Sequence, residues 1–408
     1  MSQLQRESPY PMLAIDAALG LIMAHAAPLD HEEVDALAAD GRVLATTLQA
    51  PEAIPDLPRS AMDGYALRSA DGLAARRVVA ELTAGVAPGL VIDAGTAARI
   101  MTGAPLPAGA DAMIPTELCE ERDGVLFVQR AVQPGEHVHT VGQDVAPGMV
   151  VLERGTVLGA PEVGLLATLG VTRVAVFRQP RVAVLSTGDE LVEPGAPRPP
   201  GAVRDANRYA LLAAAREAGC ATIALGIVRD DEAAQRAAIL QGLEQADVLV
   251  TSGGVSMGTR DLIKPILAEL GTVHFGRVAF KPGKPTTFAT VGATLVFGLP
   301  GNPVSSLVSF EVFVRPALRA LQGDARPYRP QVRVTLATPV RPAADRPEYQ
   351  RVIIRWQAGR LRATSTGPQG SSRLLSLHGA NGLLLVPPGE AVYPVGTELE
   401  AMLTGPLQ

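Results

Sequence analysis

The chain has 408 residues, 47% of them hydrophobic and 19% charged, and carries a formal net charge of −5. That length accommodates two to four domains with separate cores, while the acidic balance, with no basic face, excludes a general nucleic-acid binder. No apolar run is long enough to cross a bilayer, and MSQLQRESPY lacks the basic-then-apolar order of a signal peptide.

The 41 glycines and 34 prolines exceed the usual share and predict many turns and small β-rich pieces. Cys119 and Cys220 have no CxxC or metal-ligand spacing, so a reducing cytoplasm is the expected compartment. Only three residues are lysines: Lys264, Lys281 and Lys284. In a chain that otherwise uses arginine, compact ammonium groups clustered near a glycine-rich loop point to phosphate binding.

In chain order, Met12, Ile15, Ala18, Leu19 and Ile22 form a stripe of period 3.6 and predict a helix. Asp30 with Glu33 resembles a capping box and predicts a second short helix ending at Gly41. Short β-type runs such as Arg77–Leu82 and Val125–Arg130 then alternate with Pro, Gly and Asp clusters, as in a small β domain. Pro161–Leu169 predicts a helix stopping at Gly170.

From 180 to 323 the pattern alternates. Strands are expected at Arg181–Ser186, Ala221–Val228, Asp247–Thr251, Val273–Phe280 and Thr294–Gly298. Helices are expected at Arg208–Ala218, Asp231–Gln245, Leu262–Leu270 and Val304–Leu321. This order predicts an open, mostly parallel α/β sheet covered on both faces. Beyond Arg326-Pro327, short strands and turns predict a separate small β domain.

In such sheets ligands bind beyond the carboxyl ends of the strands. Those ends carry Ser186–Glu190, Asp230-Asp231, the loop TSGGVSMGTRD ending at Asp261, Lys281–Lys284, and Leu299–Ser306. Each has a plain structural reading: a tight turn, a solvated acidic pair, or a helix start with Asn302 as cap and Pro303 in the first turn. Together they place backbone donors, lysines and carboxylates on one edge. A helix N-terminus accepts phosphate, and Mg²⁺ is held by one or two carboxylates plus a ligand's phosphates. The carboxylate of Asp261 beside an anion loop is then a metal ligand. His137 and His139 lack a third ligand and read as surface residues, and Gln350-Arg351 and Thr366–Ser371 are weak signals alone.

The set of motifs SAMDGY (60–65), RIMTGAP (99–105), STGDEL (186–191), SGGVSMG with Asp261 (252–261), KPGKP (281–285) and LPGNPVS (299–305) resembles the molybdopterin molybdenumtransferases, the MoeA and gephyrin E-domain family. The motifs occur in the family's order over nearly the whole chain. The resemblance implies an elongated helical domain (11–50 with 145–178), an inserted β domain (51–144), a molybdopterin-binding α/β domain (179–325) and a C-terminal β-barrel (328–408). It also implies a homodimer whose active site is shared between subunits.

The implied reaction is insertion of molybdate into adenylylated molybdopterin with release of AMP, assisted by Mg²⁺. The implied catalytic residues are Asp63, Asp144, Glu190, Asp230 and Asp261, with Glu190 and Asp261 holding the metal. The implied substrate-binding residues are Thr102, Ser252, Gly253, Gly254, Ser256, Lys281, Lys284, Pro300, Gly301, Asn302, Pro303, Ser305, Arg351 and Ser371. Contact with the adenylylating enzyme is a further expectation; no nucleic acid or membrane partner is expected.

Two departures stand out: Thr259-Arg260 and Leu262 replace the acid and aromatic common in relatives, and Arg277 stands where lysine is common. The alternatives left open are the adenylylation step itself, a receptor-organising scaffold, and tungstate in place of molybdate.

Overall fold

The computed structural model describes residues 10–86, 89–254 and 262–408. Two compact units divide them. One is built from residues up to Ala45, Gly155–Ala160 and Arg173–Gln408; the other is Thr46–Arg154 with Pro161–Thr172.

The first unit is organised by a six-stranded sheet: β1 (Arg181–Thr187), β2 (Ala221–Val228), β3 (Val248–Ser252), β4 (Thr272–Phe275), β5 (Thr287–Val291) and β6 (Thr294–Leu299). Their lateral order is β2-β1-β3-β6-β5-β4. The first three pairings are parallel and the last two antiparallel. Helices α1 (Asn207–Glu217), α2 (Glu232–Gln245), α3 (Ile263–Leu270) and α4 (Pro303–Ser309) connect and cover the strands.

Both faces are buried, which is why the strands read as continuous apolar runs. Val182 and Val184 of β1 pack with Leu211, Val304 and Phe313 on one side; Ala183 and Leu185 pack with Ile239, Ile263 and Leu267 on the other.

The sequence expectations differ from the structure at four places. His31–Asp35 is a strand paired antiparallel with Arg173–Phe177, not a helix. The cap lies later: the Asp35 carboxylate accepts from the Leu37 amide and starts a short 3₁₀ turn. The long C-terminal helix contains a π-turn at Phe310–Val314. Pro316 has no amide hydrogen to return to the Val312 carbonyl, and the turn widens just before it. The expected strand 273–280 ends at Phe275. Its remainder turns to meet the N-terminal segment, where Leu13 bonds to the backbone of Arg277 and Ala279. Finally, β5 lacks a clear period in sequence because both its faces are buried where it begins.

After the sheet, five strands close a barrel: β7 (Gln331–Leu336), β8 (Glu348–Gln357), β9 (Arg360–Ser365), β10 (Gly382–Val386) and β11 (Glu398–Leu403). Val334, Leu336, Val352, Ile354, Ala363, Leu384 and Val386 fill it. In the other unit, a six-stranded sheet alternates its side chains between two small cores, Tyr65 and Leu67 on one face and Ala66 on the opposite one. Among the described residues, no helix is long and apolar enough to cross a membrane.

Candidate active site

The strand order reverses between β1 and β3, so their following loops diverge and leave a crevice at the carboxyl edge. There the backbones converge closely. Gly253 has φ +92°, and a Cβ on it would lie 2.5 Å from the Thr187 carbonyl oxygen; one on Gly254, at φ +66°, would lie 2.9 Å from both Thr187 Oγ1 and Ile263 Cγ1. Any side chain would push the two loops apart, so glycine is required. The Gly253 amide donates to the Leu299 carbonyl (3.1 Å), joining the end of β6 to the same wall.

A cavity of about 670 Å³ opens here. Thr187, Glu190, Asp230, Ser252, Gly253, Gly254 and Pro300–Pro303 line it, together with Asp205 and Asn207. The acidic pair 230–231 divides its work. Asp231 caps α2 by accepting from the Ala234 amide, while Asp230 faces the cavity and is steadied by Gln235 (3.4 Å). Thr187 is 3% exposed, and among the described residues its hydroxyl has no hydrogen-bond partner. A buried hydroxyl without a partner is costly unless a ligand completes it.

Glu190, Asp230 and this hydroxyl are hard oxygen donors of the type that suits Mg²⁺. Among the described residues no group of three or more His, Cys, Asp or Glu side chains is close enough to cage a metal. A magnesium ion held by these donors would need a ligand's phosphates and water to complete its coordination. Asp261 and Ser256 lie outside the described residues.

Two residues missed by sequence reasoning hold this wall. Asn207 Nδ2 donates to Ser252 Oγ (2.8 Å) and to the Gly301 carbonyl (2.7 Å), tying the ends of β3 and β6. Because Ser252 Oγ accepts this bond, its own proton is free to donate elsewhere. Asp205, 1% exposed, accepts from Ser186 Oγ (3.0 Å), the Arg208 amide (3.1 Å) and Arg208 Nε (2.9 Å). Arg208 also binds the half-exposed Glu193 at 2.6 Å. The signal was the run Arg204-Asp205-Ala206-Asn207, polar residues at a helix start.

A second cavity, about 750 Å³, lies where the sheet's loops meet the barrel. Lys281, Lys284 and Ser305 come from the sheet side, and Arg341, Arg346, Glu348, Gln350 and Ser371 from the barrel side. The seam is stitched by backbone. The Lys281 amide donates to the Pro347 carbonyl, the Tyr349 amide to the Lys281 carbonyl (2.7 Å), and the Val304 amide to the Ser371 carbonyl (3.0 Å). That last bond occupies one of the free amides at the start of α4.

Arg351 lies fully buried in β8. Its Nε donates to Ser376 Oγ (3.1 Å), its Nη2 donates to the Gly370 carbonyl (3.2 Å), and its Nη1 has no partner among the described residues. Burial pushes the guanidinium down to about 10, partly offset by Glu348.

The remaining candidates belong to the other unit. Thr102 donates both its amide and its hydroxyl to Asp63 Oδ1, each at 2.7 Å, and these bonds hold the Asp63 carboxyl below its usual range. Asp144 sits on a separate turn, its amide bonded to the Ile54 carbonyl (3.0 Å). Arg277 is tied to the Tyr10 carbonyl (3.1 Å). Thr259 and Arg260 are outside the described residues, and Leu262 immediately precedes α3. Neither thiol is poised as a nucleophile: burial pushes Cys119 up to about 11 and Cys220 to about 12.

Residues 13–170 match the MoeA N-terminal region (domain I and II), 183–320 a probable molybdopterin binding domain, and 333–404 the MoeA C-terminal region (domain IV). The chain is 38% identical to molybdopterin molybdenumtransferase 2 of Mycobacterium tuberculosis, covering 89% of this chain and 92% of that one. It is 34% identical to gephyrin of Dictyostelium discoideum over 99% of this chain, and spans 64% of that relative's length. The solved molybdopterin biosynthesis MoeA protein of Pyrococcus horikosii superposes with a TM-score of 0.82 at 32% identity, covering 97% of this chain and all of that one. The chain belongs to the molybdopterin molybdenumtransferase (MoeA) family.

Proposed function

We propose that this molybdenumtransferase takes molybdate as the metal donor and adenylylated molybdopterin as the acceptor, releasing AMP. The observation that carries this reading is the pair of adjoining cavities, which share Pro285 and differ in charge. The crevice offers backbone donors, hydroxyls and carboxylates to a phosphoanhydride. The seam offers Lys281, Lys284, Ser305, Ser371 and, behind them, Arg351 to a tetrahedral oxyanion.

In the crevice, Glu190, Asp230 and, by its place in the motif, Asp261 would hold Mg²⁺. That ion supplies charge neutralisation at the phosphates. Ser252 and Thr187 orient the substrate through their hydroxyls, and Gly253 and Gly254 let the backbone approach it. Water adds across the phosphoanhydride to give AMP and the molybdopterin phosphate, and the two dithiolene thiols displace one oxo group of the molybdate held at the seam, their two protons carrying it off as water. No protein nucleophile is required, so catalysis rests on positioning and electrostatics. Asp63, Thr102 and Asp144 act from a second copy of the chain in a shared site, and the adenylylating enzyme delivers the substrate.

The test is incubation of the purified protein with adenylylated molybdopterin, Mg²⁺ and molybdate. The expected result is molybdate-stimulated AMP release with formation of active cofactor. Absence of AMP release, or unchanged release from Glu190→Ala, would overturn the proposal.

A further inference from the structure

An oxyanion pocket has no evident use for a buried carboxylate, yet Glu348, 3% exposed, lines the seam cavity. Its Oε1 lies 3.1 Å from Lys281 Nζ, and its Oε2 accepts from Gln350 Nε2 at 3.1 Å. The same Gln350 nitrogen donates to the Arg341 carbonyl (2.9 Å), so both of its hydrogens are engaged and the carboxylate is pinned. Lys281 is nearly half exposed. Any anion that it hydrogen-bonds at ~2.9 Å lies no more than ~6 Å from Glu348 Oε1, by the triangle rule.

We propose that Glu348 limits the oxyanion affinity of the seam cavity, keeping it from being blocked by tetrahedral dianions that are not its substrate. Taking the seam as the molybdate site, as proposed above, Glu348 sets the affinity of that site for dianions through its charge. At ~6 Å in a partly solvated pocket, one negative charge weakens binding of a dianion by about tenfold or more. Its salt bridge also draws on Lys281, which can give its other two hydrogens to the anion. Sulfate and phosphate suffer the same repulsion as molybdate. Only the ligand that reacts onward is removed by chemistry, so a weak resting site favours turnover over occupation.

The experiment compares wild type with Glu348→Gln, Glu348→Met and Glu348→Asp. Binding of molybdate, sulfate and phosphate to the full chain is measured by calorimetry without pterin substrate. The two neutral variants are expected to bind all three anions about tenfold more tightly, and Glu348→Asp, which keeps the charge, stays within about threefold of wild type. With molybdate held well below half-saturation of either protein, sulfate then inhibits AMP release by Glu348→Gln at about tenfold lower concentration than it inhibits wild type. Unchanged or weaker binding in both neutral variants would overturn the proposal, since Glu348 would then serve only to hold Lys281. If wild type releases no AMP but the neutral variants still tighten, the reaction reading fails and this inference stands.

Discussion

The crevice at the strand ends and the seam against the barrel are neighbours built on opposite principles. The crevice is walled by close backbone and tied by side-chain bonds, Asn207 to Ser252 and Gly301 at its surface and Asp205 to Ser186 and Arg208 buried beneath. The seam is held by backbone bonds between two elements, and its Lys281 is nearly half exposed. A rigid wall suits a group whose bond must break in one geometry; flexible lysines suit a small, symmetric anion that needs charge more than shape.

The largest expected break of this division is Glu190→Gln. AMP release should fall by about 10²–10³-fold, while molybdate binding, measured by calorimetry, stays unchanged. Loss of molybdate binding as well would merge the two cavities into one functional site. Lys284→Ala tests the other side: half-saturating molybdate should rise by about tenfold, with turnover at saturation within threefold of wild type. A drop in turnover at saturation would give Lys284 a role in bond breaking.

Asn207→Ala should lower turnover by about tenfold, since it removes two hydrogen bonds of about 1 kcal/mol each from the crevice wall. Steady-state kinetics checks this, and molybdate affinity should not move.

The smallest effect is expected at the opposite edge of the sheet. Asp247 precedes β3, and its burial, which would raise its carboxyl, is outweighed by the bonds from Arg178 (2.7 and 2.8 Å) and the Arg181 amide (2.8 Å). Its folded value therefore lies below the usual 3.8. The stability it adds is present above that usual value and lost as pH falls through the lower folded one. Asp247→Asn should cost about 1–2 kcal/mol at neutral pH and flatten the acid limb of a melting-temperature profile. Both cavities should keep their ligands.

Much of this was legible because local pattern and tertiary environment agree. Arg181–Thr187 is an apolar run because both sheet faces are covered; Gly253-Gly254 follows a strand because two backbones meet there. Where a local signal admits two environments, reading failed. Asp30 and Glu33 satisfy a capping pattern, but His31–Asp35 gains more from pairing with a strand about 140 residues later. Pro316 is visible in sequence, yet the π-turn before it depends on the packing of Phe310 and Phe313 in the core.

The sequence by itself determined the family, the alternating α/β segment and the motifs that carry carboxylates and lysines, because these rest on residue type and spacing. Tertiary structure alone decided which member of an acidic pair faces a cavity, with Asp231 spent on a cap and Asp230 left to the site. It alone assigned Asn207 and Asp205 to the crevice wall and set Glu348 against Lys281. Those roles depend on contacts between segments from about 20 to 94 residues apart, and no local pattern encodes a distance across such a gap.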